Sequence, residues 1–361
     1  MAKTGESYTT ARSHLATHPS GGPEPAGDPD ASVLARALAA AGVLDPRTGR
    51  PFTDSLLFGI GGGIGFAYLV FAYPGWTTVH VDGRFNGLYF EKKGFVETAC
   101  ARLGVPVRVQ QLTTPELATR RLREALDATP EVVLTLDLVR LPGFTPPVTA
   151  PYFPHHVTVR DDARELTVAG LAGGPVTMPW GEVVEARWTG AKKYGGLFLI
   201  GARPDPVDVD AVVRAAAART AECLLEPDRS SFDGNFGVGG IRKWARLLTD
   251  PRDPKGWPKL FADPESTHSA LASVVDGLRR GDPAGTAARW LYAAFLEEAG
   301  LGAPAGAYRD VGRRWAALAE VAGQPGATGT DLAALLPDLA EAEQAAAGSL
   351  GAALSTEGVR R

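Results

Sequence analysis

The stretch DSLLFGIGGGIGFAY, Asp54–Tyr68, sets five glycines (Gly59, Gly61, Gly62, Gly63 and Gly65) in an apolar frame. Its reading decides the fold class. A dinucleotide fingerprint needs G-x-G-x-x-G between a strand and a helix, with an acid about 20 residues further on. Gly59 and Gly61 supply two glycines, but Ile64 stands in the third place. Starting from Gly61 and Gly63 the third place is Phe66, and from Gly63 and Gly65 it is Tyr68. No Walker lysine follows any of them. The nucleotide reading fails on spacing. Two readings remain open. One is a turn in which glycine permits positive φ or close approach. The other is such a turn lining a site, its N–H groups forming a nest for an anion or a developing oxyanion.

Outward from this stretch, ASVLARALAAA (Ala31–Ala41) has helical apolar spacing, with Asp28 or Asp30 available as N-cap and Gly42 as C-cap. TTVHVDG (Thr77–Gly83) alternates as a strand should, and LYFEKKGFVETACARLGV (88–105) reads as a helix followed by the strand VRVQQLTT. PELATRRLREALDATP is an amphipathic helix with Pro115 in its first turn and Pro130 beyond its end. EVVLTLDLVRLPG is a buried strand, and HHVTVRDDARELTVAGL is a hairpin turning at 160–165. The β-segments follow one another too closely for regular βαβ alternation. The expected class is α+β with an antiparallel sheet. After Pro206, alanine-rich segments of helical period take over. The expected division is a tail at 1–29, an α+β domain at 30–205 and an all-α domain at 206–361.

The totals exclude several classes. Over 361 residues the net charge is −4, without the concentrated basic face that nucleic acid requires. No run of about 18 apolar residues could span a membrane. Cys100 and Cys223 form no C-x-x-C pair, so neither a disulfide framework nor a zinc site is indicated. Both read as buried helical thiols. No metal and no cofactor is expected, and a cytoplasmic setting is. The small-residue helices fit a homodimer interface and an internal bundle equally well.

Among chemistry-bearing residues, His155 and His156 open a strand, and neighbouring strand residues point to opposite faces. Only one of them can serve a given site, and two readings stay open: a hydrogen-bonded, inert strand-end histidine, or a general base. Imidazole suits a general base near neutral pH, and an acid would orient it. Asp137, inside VVLTLDLV, is the best-placed acid on sequence, because a carboxylate in a buried strand needs a partner. A partner of a backbone amide or an arginine is the alternative reading for Asp137. Arg84 could hold an anionic group bidentately or form an ion pair.

The order DSLLFGIGGGIGFAY, TVHVDGRFN, LTLDLVRLPG, HHVTV, WGEVVEARW resembles the N-terminal domain of the butirosin biosynthesis protein H family. FDGNFGVGGIRKWARLL and AARWLYAAFLEEAG are similar to the helical domain that usually follows it. The resemblance covers roughly residues 30–330. It implies a papain-like fold turned to acyl transfer in natural-product biosynthesis, including antibiotic pathways. The family's named member moves an aminoacyl group from a carrier-protein thioester to an amine. That chemistry uses a cysteine at the start of the first helix and a histidine on a later strand. Here the corresponding place is Asp28-Pro29 or Asp30, and no cysteine precedes Cys100. His156 matches the family histidine, Asp137 matches a D-x-x-x-L-P position, and an acid expected near Ala169-Gly170 is missing.

The expected catalytic residues are therefore His156, Asp137 and Asp30. The expected substrate-binding residues are Gly61, Gly62, Gly63, Tyr68, Arg84 and His155. The expected partners are an acyl or aminoacyl small molecule and an acyl or peptidyl carrier protein. Acyl transfer or cyclisation without the cysteine is one expectation. A non-catalytic relative that binds an intermediate, a carrier protein or a partner subunit is the other.

Overall fold

Asp28 starts the first helix. Its backbone is extended, its Oδ1 accepts from Ala31 N at 3.0 Å, and Pro29 follows at the first helical position. The result is α1 (Pro29–Ala40), whose Val33, Leu34, Ala37 and Leu38 are buried at helical spacing. Each such leucine contributes about 2 kcal/mol of apolar burial. Gly42, with φ +72°, ends it. The computed structural model describes residues 28–73, 76–84, 94–141, 154–161, 165–171, 174–188, 194–203, 205–226, 233–279 and 282–358. Residues 1–27 of the expected tail, 88–93 of the expected helix and Pro142–Gly143 lie outside them.

The glycine stretch opens with a helix, α2 (Asp54–Ile60), capped by Thr53. Gly62 and Gly63 then turn the chain at φ +138° and +64°. The chain runs on into β1 (Ala67–Tyr73), which pairs antiparallel with β2 (Trp76–Asp82). This hairpin is separate from the main sheet, whose order is β3-β8-β4-β5-β6-β7 with every pair antiparallel. Its strands are β3 (Val107–Leu112), β4 (Val132–Asp137), β5 (Pro154–Asp161), β6 (Glu165–Ala169), β7 (Val176–Pro179) and β8 (Tyr194–Ile200). Between them lie α3 (Phe95–Arg102), α4 (Pro115–Ala128) and α5 (Trp180–Ala186). The α+β antiparallel expectation holds.

The sheet has two covered faces, set by strand alternation. Leu134, Leu136, Val157, Val159 and Leu197 pack with Leu122 and Ala125 of α4 and Val183 of α5. Val133 and Phe198 face the other way, into the core that includes Val33, Leu34 and Leu38 of α1. Thr135 pairs with His156, and Leu136 with His155. The two histidines thus lie on opposite faces, and His156 shares its face with α1.

The remainder is helical, as expected: α6 (Val209–Leu225), α7 (Gly237–Leu247), α8 (Trp257–Leu260), α9 (Pro264–Arg279), α10 (Arg289–Glu298), α11 (Gly302–Ala322) and α12 (Gly329–Gly358). The composition changes near residue 206, but the apolar core runs across that junction. Phe66 stacks on Trp244 and Trp315, with centroids 6.1 and 5.6 Å apart. At Gly59 a Cβ would sit 2.3 Å from the Phe295 ring, so this one glycine of α2 lets the helix lie directly on α10.

Candidate functional site

The first turn of α1 meets the start of β5. Asp30 Oδ1 lies 3.1 Å from His156 Nδ1, and the two side chains are 27% and 23% exposed. Partial exposure leaves the pair within reach of a ligand. An ionised carboxylate can only accept, so Nδ1 carries the proton and neutral His156 keeps its lone pair on Nε2. The ring also stands edge-on to Phe198, with centroids 5.2 Å apart. Burial alone would raise the Asp30 carboxyl, but the His156 hydrogen bond and charge, then Arg84 and His155, hold it well below the usual carboxylate range.

Asp28 lies one residue before the helix and is buried. Burial and the neighbouring Asp30 charge push its carboxyl up, against the pull of Arg84. Arg84 forms an ion pair with Asp28, and its guanidinium lies over the rings of Phe58 (5.1 Å) and Phe95 (5.9 Å). Its backbone N–H donates to Asp82 Oδ1 at 2.7 Å. Two carboxylates at one helix N-terminus are thus flanked by a guanidinium and an imidazole. The helix dipole favours both negative charges.

The other expected residues fall elsewhere. His155 donates from Nε2 to the Gly170 carbonyl at 2.8 Å, which fixes its tautomer. Asp137 caps a short turn: its Oδ1 accepts from Val139 N at 3.2 Å, and its Oδ2 lies 3.4 Å from Arg140 Nε. The carboxylate hydrogen-bonded to His156 is that of Asp30.

The N–H groups of the glycine stretch are engaged within the chain. Gly61 N donates to Leu57 O at 2.7 Å, Gly62 N to Gly59 O at 3.2 Å and Gly63 N to Phe58 O at 2.8 Å. These donors close the C-terminal turn of α2 and are buried. They are not available to an oxyanion. Tyr68 is buried in contact with the helical half. Its Oη accepts from Trp257 Nε1 at 3.0 Å, its ring stacks on Trp244, and burial pushes its hydroxyl up to about 12. It is a core residue. Sequence reasoning found Asp28 as a helix cap and, with Pro29, as one place matching the family's cysteine; its place beside Arg84 follows from the β2 end reaching the start of α1.

The described residues contain no group of three or more His, Cys, Asp or Glu able to hold a metal ion. Nor do they contain a helix long and apolar enough to cross a membrane. Residues 29–169 match the model of butirosin biosynthesis protein H, N-terminal. Residues 185–350 match a domain of unknown function, DUF4872. No curated protein sequence matches the chain. The helix N-terminus set against a histidine-bearing antiparallel strand agrees with the order of these two matches: residues 29–169 carry a butirosin biosynthesis protein H N-terminal domain, related to biosynthetic, acyltransferase-like proteins with a papain-like fold, and a DUF4872 region follows it.

Proposed function

We propose that the protein is a natural-product biosynthesis enzyme that transfers or cyclises an acyl or aminoacyl group presented as a thioester, with His156 as general base and no enzyme thiol. The observation that carries this reading is the 3.1 Å contact between His156 Nδ1 and Asp30 Oδ1. Asp30 is, with Asp28-Pro29, one of the two places at the start of α1 that the resemblance matches to the nucleophilic cysteine. Neither cysteine can take over. Cys100 and Cys223 are buried, and burial pushes the Cys100 thiol up to about 12.

In this reading Asp30 holds the imidazole so that Nε2 faces the acceptor. The acceptor amine adds to the thioester carbonyl carbon while Nε2 takes its proton. The carbon–sulfur bond then breaks, and the imidazolium returns that proton to the departing thiolate. The products are an amide and a free thiol. When amine and thioester belong to one molecule, the same step closes a ring.

One observation favours a second reading, a non-catalytic binding relative. Asp28 is ion-paired with Arg84, and the Asp30 carboxylate is hydrogen-bonded to His156, so these polar groups satisfy one another within the chain. Mass spectrometry separates the two. Wild type and His156→Ala are incubated with carrier-bound or N-acetylcysteamine acyl thioesters and an amine. The enzyme reading expects amide formation that falls by about 10²–10⁴-fold in the variant. Equal product from both proteins removes His156 from the mechanism.

A further inference from the structure

Arg289 is fully buried at the start of α10, far from His156 in sequence. Its Nη1 donates to Gly83 O at 2.6 Å and to Ala287 O at 2.8 Å, and its Nη2 donates to Gly65 O at 2.8 Å. Its Nε donates to Glu343 Oε1 at 2.6 Å, and Trp315 Nε1 donates to the same oxygen at 2.6 Å. Gly65 and Gly83 flank the β1–β2 hairpin, and Gly65 N itself donates to Gly83 O at 2.9 Å. One guanidinium therefore ties both ends of this hairpin to the helical half of the chain.

The approach is close and strained. Ala287 and Ala288 hold φ at +52° and +63°, a region L-residues avoid. Asp282 Oδ2 accepts from Ala288 N at 2.9 Å and from the Thr286 hydroxyl, which keeps the loop in that shape. A Cβ on Gly83 would lie 2.4 Å from Ala287 Cβ and 2.9 Å from Arg289 Nη1. A buried ion pair is weak evidence for stability, because desolvation offsets most of its attraction. A strained loop that presents such a pair to two backbone carbonyls points to a geometric task.

The residue after Gly83 is Arg84, the partner of Asp28. We infer that Arg289 is a positioning residue for the candidate site: by fixing the Gly83 carbonyl it sets Arg84 against Asp28, and so holds the first turn of α1 where Asp30 meets His156. The DUF4872 region thereby completes a site whose polar side chains all come from the N-terminal domain. This inference rests on the enzyme reading for its kinetic consequence but not for its geometry.

The test uses the full chain and two independent perturbations. Arg289→Met/Glu343→Gln removes both buried charges together, leaves Trp315 an acceptor, and deprives Gly65 and Gly83 of the guanidinium. Gly83→Ala leaves Arg289 and Glu343 in place and pushes the hairpin end away from them. It carries the same test if the double variant does not fold. The activity-independent readout is the downfield proton resonance of His156 Nδ1–H, assigned by its loss in His156→Ala. It is expected in wild type, exchange-broadened or absent in both perturbed proteins, and retained in Arg84→Lys, which preserves the cation. The kinetic readout is a loss of about tenfold or more in kcat with little change in KM, as expected when reacting groups are misplaced. A cooperatively folded Arg289→Met/Glu343→Gln or Gly83→Ala protein with the resonance and kcat of wild type overturns the inference. If the resonance is lost in the variants while wild type turns over no thioester, the positioning role stands and the enzyme reading fails.

Discussion

At Asp30 a single carboxylate faces the histidine from the first turn of a helix, and in the proposed reading it stands where the resemblance would place a thiolate. The substitution changes the chemistry available. A carboxylate hydrogen-bonded to Nδ1 fixes the tautomer and leaves Nε2 as the basic atom. Asp30→Asn keeps a carbonyl oxygen at the same place but loses the charge. The expected result is a loss of at least about tenfold in turnover. Asp30→Ala should cost about 1.5–3 kcal/mol of stability at neutral pH, the range for a hydrogen bond to a charged group. The pH dependence has a definite sign. The folded carboxyl titrates below the unfolded aspartate value of about 3.9. Its stabilising contribution is therefore complete above that range and drains away as pH falls toward the folded value. Urea unfolding of wild type and Asp30→Ala should differ fully at pH 7 and progressively less below pH 4. A gap that widens on acidification would contradict the pairing. Much of this site was legible in the residues. His156 stood out as one of a strand-opening pair, and the resemblance pointed to Asp28-Pro29 or Asp30 at the start of the first helix. Which acid meets it was not legible. Asp30 and His156 are 126 positions apart, and only strand register and the seating of α1 bring them together. Asp137, nearer in sequence, accepts from Val139 N and lies beside Arg140.

At the scale of elements, α1 and α4 could be read directly, because their caps and prolines are local signals. The glycine stretch could not. Residues Asp54–Ile60 form a helix although Gly59 lies within it and the segment is only seven residues long, where propensity alone would not sustain one. Packing on α10 decides the matter. β1 was missed for a related reason: AYLVFAY is a continuous apolar run, which periodicity cannot separate from a buried helical segment. The packing role makes a prediction that separates it from an oxyanion role. Gly59→Ala would drive a methyl into the Phe295 ring, which should cost about 1–3 kcal/mol of overpacking. Chemical denaturation should show that loss, while turnover per folded molecule stays near wild type. The reverse pattern, intact stability with a fall in kcat, would return the glycine stretch to the active site.

For the whole molecule the composition change near residue 206 marks where helices take over, and nothing in the local pattern tells that the core continues through it. That continuity is a matter of which side chains meet. Gly59 and Phe66, from the N-terminal half, touch Phe295, Trp244 and Trp315 of the helical half. Arg289 adds hydrogen bonds to Gly65 and Gly83. A fragment ending at residue 205 would expose this shared apolar surface and orphan the carbonyls that Arg289 satisfies. Its main sheet would still bury Leu134, Leu136, Val157 and Val159 under α4 and α5, but α2 and the β1–β2 hairpin would have no cover. The fragment 28–205 should therefore keep strand signal in far-ultraviolet circular dichroism, bind an apolar dye and melt without a cooperative transition. The full chain should melt as one unit. Calorimetry on both proteins decides it: a sharp, reversible transition in the fragment would mean that the two halves are separable domains joined by a surface contact, and the integration argued from the shared core would fall.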